Sequence, residues 1–257
     1  MKFSDLFIVS KGTRVVISIT LGICGTGILI AVFYYRGLNR SEDPRLVPVR
    51  ELIRKSETLS ANRKAPEAYM VLDSAIRLIQ TVPGYKKSYE TGVMYNNACS
   101  SWLLAASYDS TLVPAEKEKM LRTARVFADS SMMVYRAWIA DWDSLNPDQI
   151  HSRITPFFRP DDPAFSGRNP VRILKKRVRD IQSAQLETPR RLSVSLTNLG
   201  TIHRHLNQPD SALACYAEAL RLWDKNATAK NNMNVLMGGK PIKPSLIKSL
   251  FPPDKKQ

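Results

Sequence analysis

Three histidines and three cysteines hold most of the nucleophilic and metal-binding potential of this 257-residue chain. They are scattered as His151, His203 and His205, and Cys24, Cys99 and Cys215. His203 and Cys215 flank the Asn207–Asp210 turn and could approach across it. A cysteine nucleophile needs a base in hydrogen-bond reach, a third group to orient that base, and an open cleft. Neither orienter nor cleft is legible, and both residues suit ordinary helix-packing positions. No HExxH, paired CxxC or glycine-rich phosphate loop occurs. Asp141, Asp143 and Asp148 gather carboxylates, but the turn glycine and closing glutamate of a calcium loop are missing. Two distant cysteines outside the first 35 residues make no disulfide framework, so buried free thiols are expected. The reading is no enzyme, no metal and no cofactor. Asn39-Arg40-Ser41 and Asn226-Ala227-Thr228 are glycosylation sequons, relevant only in a eukaryotic secretory compartment.

Charge is the next chemical signal. The chain carries 38 Lys and Arg against 23 Asp and Glu, a net +15. Such a surface draws anionic headgroups, acidic protein or nucleic acid. The densest cluster lies on a helix expected from Pro170 to about Leu186. Val171, Leu174, Val178, Ile181 and Gln185 share roughly one face, and Arg172, Lys175, Lys176, Arg177 and Arg179 crowd the rest. These five are candidate contacts to an anionic surface, with a solvated helix face as the plainer alternative. No aromatic residues interleave with them, which disfavours nucleic acid. As a solvated charge, Arg177 is expected to matter within about 0.5 kcal/mol.

Val15–Tyr35 contains no charged residue. About 20 apolar residues cross a bilayer as a helix, so this run reads as a transmembrane anchor. Lys11 and Arg14 close one end, Arg36 and Arg40 the other, and Phe33, Tyr34 and Tyr35 suit an aromatic belt. A cleaved signal would be shorter and end in small residues. Leu21-Gly22-Ile23-Cys24 imitates a lipobox but has Ile23 before the cysteine. A retained single-pass anchor is therefore expected, with the following domain on the non-cytoplasmic side. Ser18, Gly22 and Thr26 recur every fourth residue, a stripe that would let two such helices form a homodimer.

Beyond the anchor, apolar residues recur at three- and four-residue spacing, the mark of amphipathic helices. The clearest unit is SVSLTNLGTIHRHLNQPDSALACYAEALRLWDKN, Ser193 to Asn226. Leu196, Leu199 and Gly200 stand in its first helix, and Ala212, Tyr216 and Ala219 fall four then three apart in its second. Small Gly200 and Ala212 suit a close helix crossing. Thr197-Asn198-Leu199 returns as Asn231-Asn232-Met233 after about 34 residues. The unit resembles a tetratricopeptide repeat (TPR). That resemblance implies a helical hairpin array, with 227–237 as a terminal solvating helix that has Asn234 in place of the family's glycine. It also implies a groove lined by first-helix side chains. Thr197, Thr201, Arg204 and His205 are the candidates here. The basic residues of the carboxylate-clamp variety are not recognisable. On this reading Gly200→Leu overpacks a contact and costs about 1–3 kcal/mol.

Earlier units are degenerate. Leu52, Ile53 and Leu59 precede Ala68, Leu72 and Ala75, which repeat the four-then-three spacing. Tyr95-Asn96-Asn97-Ala98 echoes Leu196–Leu199 and opens a further helix, whose partner starts at Pro114. Prolines at 147, 156, 160, 163 and 170 then interrupt the pattern, while Phe157, Phe158 and Phe165 make the segment too apolar for a free linker. It is either a docking loop or a packed connection that leaves some aromatic surface.

The expected architecture is all-α. Residues 1–14 form a tail and 15–35 a transmembrane helix. Degenerate hairpins occupy 45–140 and the Pro/aromatic insertion 141–169. A basic helix, TPR hairpin and capping helix occupy 170–238, and a basic tail 239–257. The expected function is a protein-binding scaffold or assembly factor at a membrane surface, its partner another membrane-associated protein. The alternatives are a basic module that binds anionic lipid or nucleic acid, and an enzyme with no recognisable motif.

Overall fold

Proline and asparagine mark where the helices begin. Six of the eight helices among the described residues carry proline in the first turn, where its missing N–H breaks no intrahelical bond. Asn146, Asn169 and Asn226 cap three helices by accepting from the backbone N–H groups of Gln149, Arg172 and Ala229. Asn146 and Gln149 complete a reciprocal capping box.

The computed structural model describes residues 41–242, together with Ile17, Thr20 and Cys24. Among the described residues the chain is all-α, without a strand. The helices are α1 (Val47–Ala61), α2 (Ala65–Thr81), α3 (Tyr89–Tyr108), α4 (Pro114–Trp142), α5 (Pro147–Ile154), α6 (Pro170–His205), α7 (Pro209–Leu222) and α8 (Ala227–Leu236). Short 3-10 turns cover Pro44–Leu46, Thr155–Phe157 and Pro163–Phe165.

Consecutive helices pair as α1/α2, α3/α4 and α6/α7. The pairs stack in chain order, α2 on α3 and α4 on α6, with α8 against α7 at the end and α5 against α6. Small residues set the pairing. A Cβ added at Gly92 would sit 2.5 Å from Tyr135 Cε1, and one at Gly200 would sit 2.6 Å from Tyr216 Cε1. A tyrosine ring thus rests on bare backbone in both hairpins. The echo at Tyr95–Ala98 would put Cys99 in the place of Gly200. The packing puts Gly92 there instead, about two helical turns earlier.

The second helix of each pair buries a four-then-three triad: Ala68, Leu72, Ala75; Ser131, Tyr135, Trp138; Ala212, Tyr216, Ala219. A buried serine ties each pair to the backbone of the facing helix. Ser56 donates to the Ala68 carbonyl at 2.8 Å, Ser131 to Gly92 at 2.9 Å and Ser193 to Ala219 at 2.7 Å. Apolar burial drives the association, and these directional bonds fix which turn faces which.

The turns of the first and third pairs also match. The Lys64 N–H reaches the Leu59 carbonyl at 3.0 Å, and the Gln208 N–H reaches His203 at 2.9 Å. Arg63 and Asn207 take φ of 60° in between. This left-handed closure satisfies the last carbonyls of a helix.

Two sequence expectations change. The basic helix does not stop near Leu186; it continues through Pro189 into the following hairpin as one 36-residue helix. Proline removes one backbone bond there, and the helix as a whole packs on α3, α4, α5 and α7. The expected single-pass membrane localisation is also corrected: among the described residues no helix is long and apolar enough to cross a membrane. Even α6, long enough to span, carries basic side chains along its length. The 15–35 run lies outside the described residues except for Ile17, Thr20 and Cys24, and the Ser18, Gly22, Thr26 stripe lies wholly outside them. So do residues 243–257.

The insertion folds back on the array. Phe158 and Phe165 are buried and stack at 5.9 Å, and Phe157 stays partly exposed. Arg45 covers both stacked rings, at 5.0 and 4.6 Å, and donates to the Phe157 carbonyl at 2.9 Å.

Candidate functional site

The helices that open each hairpin share a face centred on α3. Glu90, Asn97, Leu104 and Tyr108 follow at seven- and four-residue steps, so they line one side of α3. That side lies between two neighbours. Ser60 of α1 donates to Ser101 at 2.9 Å. Toward α6, Asn96 Oδ1 accepts from Ser195 at 3.0 Å and from Asn198 at 3.1 Å, and Ser107 Oγ lies 3.4 Å from His205 Nε2. A seam of small polar groups thus joins α3 to α6, and Ser131 extends it by contacting Ser195 at 3.0 Å.

The four groove residues proposed from sequence divide. Thr197 is buried, donates to the Ser193 carbonyl at 2.8 Å and accepts from Asn226 at 3.0 Å. It is therefore corrected from a groove residue to part of the α6–α7–α8 packing. Thr201 is half-buried, bonded to the Thr197 carbonyl and to Asn232. Arg204 is half-buried and His205 exposed at the edge of the face. Leu104 and Tyr108 were missed. The available signal was that α3 is apolar nearly all round, more than a two-sided burial requires.

A charged cavity of about 270 Å³ occupies the other end of this face. Glu42, Arg50, Tyr85, Tyr89, Glu90 and Lys176 line it, above apolar walls from α1, α2 and α6. Glu42 bridges Arg50 at 2.5 Å and Lys176 at 3.0 Å, and Lys176 also holds Asp180 at 2.7 Å. Deeper in, Arg177 is 5% exposed and forms an ion pair with Glu90. Its guanidinium lies 4.1 Å from the Tyr85 ring centre and 5.5 Å from that of Tyr89.

The electrostatics follow from this geometry. Burial pushes the Glu90 carboxyl up, but the attraction of Arg177 and its hydrogen bond outweigh it, so the pKa falls below the ordinary value. Burial, helped by the nearby Glu90 charge and opposed by Arg177, pushes the Tyr85 and Tyr89 phenols well up.

The basic cluster on α6 is therefore split. Arg172, Lys175 and Arg179 are exposed, while Lys176 is paired and Arg177 is buried. The expectation that Arg177 meets an anionic surface is corrected: its position on α6 turns it inward, onto Glu90 of α3.

The other sequence candidates are placed as follows. His203 is buried with Nδ1 2.6 Å from Gln208 Oε1. Burial, then the nearby Glu218, pushes the Cys215 thiol up to about 11, and burial pushes Cys99 up to about 12. A thiol so raised is a poor nucleophile at neutral pH. Among the described residues no cluster of three His, Cys, Asp or Glu is arranged to hold a metal. No known protein family, curated protein or solved structure matches the chain.

Proposed function

We propose that this chain is a TPR-like hairpin scaffold that binds another protein through the face shared by α1, α3 and α6. One observation carries the reading: the tyrosine-on-glycine contact recurs in the second and third hairpins, at Gly92·Tyr135 and Gly200·Tyr216. A repeated crossing makes helices that open successive hairpins run side by side. Arrays of this kind present the resulting concave surface to partners. Leu104, Tyr108, Thr201, Arg204 and His205 are the side chains offered there.

The rival reading, contact with anionic lipid or nucleic acid, rests on the net positive charge and, within the α6 cluster, on Arg172, Lys175 and Arg179, since Lys176 and Arg177 are engaged internally. No catalytic role is proposed for any residue.

Site-specific photo-crosslinking tests the scaffold reading. A crosslinkable residue at Asn97 or His205 is expected to capture a protein partner that the same residue at Arg122, on exposed α4, does not. Equal capture at Arg122, or none at Asn97 and His205, overturns it.

A further inference from the structure

An exposed apolar surface with a basic rim lies where α3 ends. Leu104 is 54% exposed, Tyr108 67% and Val113 54%. Leu104 and Tyr108 stand one turn apart on the same side of α3, and Val113 immediately precedes α4. None of the three belongs to the hydrophobic core or packs against it.

Cations from three hairpins lie near the polar edge of this surface, Arg63 by Asp109 and Lys117 and Arg204 by His205. Ser107, beside Tyr108, touches His205, so the end of α6 borders this surface and brings Arg204 with it. Burial, then the charges of Arg204 and Lys117, hold the His205 pKa below its ordinary value. Asp109 follows Tyr108; bonds from Thr111, and the charge of Arg63 after them, hold its carboxyl low. Arg63 comes from the turn after α1, Lys117 from the start of α4 and Arg204 from the end of α6.

We infer that this surface docks an acidic peptide of the partner protein, one that carries apolar side chains among its carboxylates. The inference rests on the scaffold reading and names the chemistry of its partner. Complementarity argues for it: the centre is apolar, the edge carries three cations against the one carboxylate of Asp109, and the chain as a whole is +15. Contact residues of the tyrosine type supply most of the affinity at protein interfaces, because they desolvate a large area at low entropic cost. Rim charges mainly raise the association rate and select the partner's sign. Binding is therefore expected to depend on Leu104 and Tyr108 for strength, and on Arg63, Lys117 and Arg204 for salt sensitivity.

Fluorescence anisotropy on the full chain tests this. The probe is a short labelled peptide that alternates glutamate with leucine and phenylalanine. A peptide with lysine for glutamate and vesicles containing phosphatidylserine serve as the other arms. The acidic peptide is expected to bind, and the pair Leu104→Ser with Tyr108→Ser to weaken it by about tenfold or more. The pair Lys117→Gln with Arg204→Gln is expected to flatten the salt dependence. Thermal melts confirm that each variant is folded, as surface positions allow. Equal binding of the lysine peptide, or binding unchanged in both variant pairs, overturns the inference. So does vesicle binding through Tyr108 with no peptide binding. If crosslinking at Asn97 and His205 still captures a partner while the acidic peptide fails, only the partner's chemistry is wrong. If both fail, the scaffold reading falls with it.

Discussion

The two halves of α6 meet the rest of the molecule by different physics. From Ser193 to His205 the helix buries small and apolar side chains. Gly200 receives the Tyr216 ring, and Ser193 bonds the Ala219 carbonyl. From Pro170 to Ala184 it buries Ile173, Leu174, Val178 and Ile181, but it also buries Arg177 against Glu90 of α3. A close crossing tolerates substitution according to volume. A buried ion pair tolerates it according to charge balance. The lesson is that a helix of one amphipathic period can hide two kinds of contact, and only one of them announces itself by residue size.

Breaking the charged contact is expected to have the largest effect. Arg177→Met leaves Glu90 facing a cavity without its cation, and loss of one partner from a buried pair costs about 3–5 kcal/mol. The double variant Arg177→Met, Glu90→Gln is expected to recover a good part of that loss. Urea titrations of both check this. A single variant as stable as the native chain would return Arg177 to the solvated surface.

The close crossings come next. Gly200→Ala places a Cβ 2.6 Å from Tyr216 Cε1, and Gly92→Ala places one 2.5 Å from Tyr135 Cε1. Each forces the ring to shift and is expected to cost about 1–3 kcal/mol. Similar losses in thermal melts would sharpen the equivalence of the two hairpins. A loss at Gly200 alone would break it, and with it the argument for a repeat.

Acid probes the charged half selectively. The Glu90 carboxyl has a pKa lowered in the folded state, so the unfolded chain binds its proton first as pH falls. The stability it contributes is present above the ordinary carboxylate range and is lost as pH drops through the folded value. The pH dependence of unfolding free energy should therefore flatten in Arg177→Met, Glu90→Gln. An unchanged slope between about pH 5 and pH 3 would show that Glu90 does not supply it.

The smallest effects are expected at helix ends and exposed surface. After α1, Arg63 holds φ of 60°, a conformation that costs a side chain roughly 1 kcal/mol relative to glycine. Arg63→Gly should raise the melting temperature, while Asn207→Gly, in the matching turn after α6, should change it less because asparagine tolerates that region. Exposed Arg172 is expected to contribute within about 0.5 kcal/mol when replaced by alanine.

Helix identity and pairing near the C-terminus were legible because they are local. Pro114 and Pro170 mark starts, and Gly200 with Ala212 and Tyr216 states a crossing within one stretch of chain. Leu104 and Tyr108 were not legible as a surface, because apolar residues on a helix state burial unless the neighbours are known. Thr197 had the reverse fate: its small polar side chain suits a groove, yet Asn226 closes over it.

By itself the sequence determined the all-α class of the described residues, the proline-marked helix starts and the small residues at the last crossing. Each follows from propensity and periodicity within a few turns. The tertiary structure alone decided that Arg177 turns inward, that α6 runs unbroken through Pro189, and that Gly92 rather than Cys99 receives a tyrosine ring. These depend on which distant helix arrives at a given face. Glu90 lies 87 residues from Arg177, and nothing in the local spacing of either residue names the other.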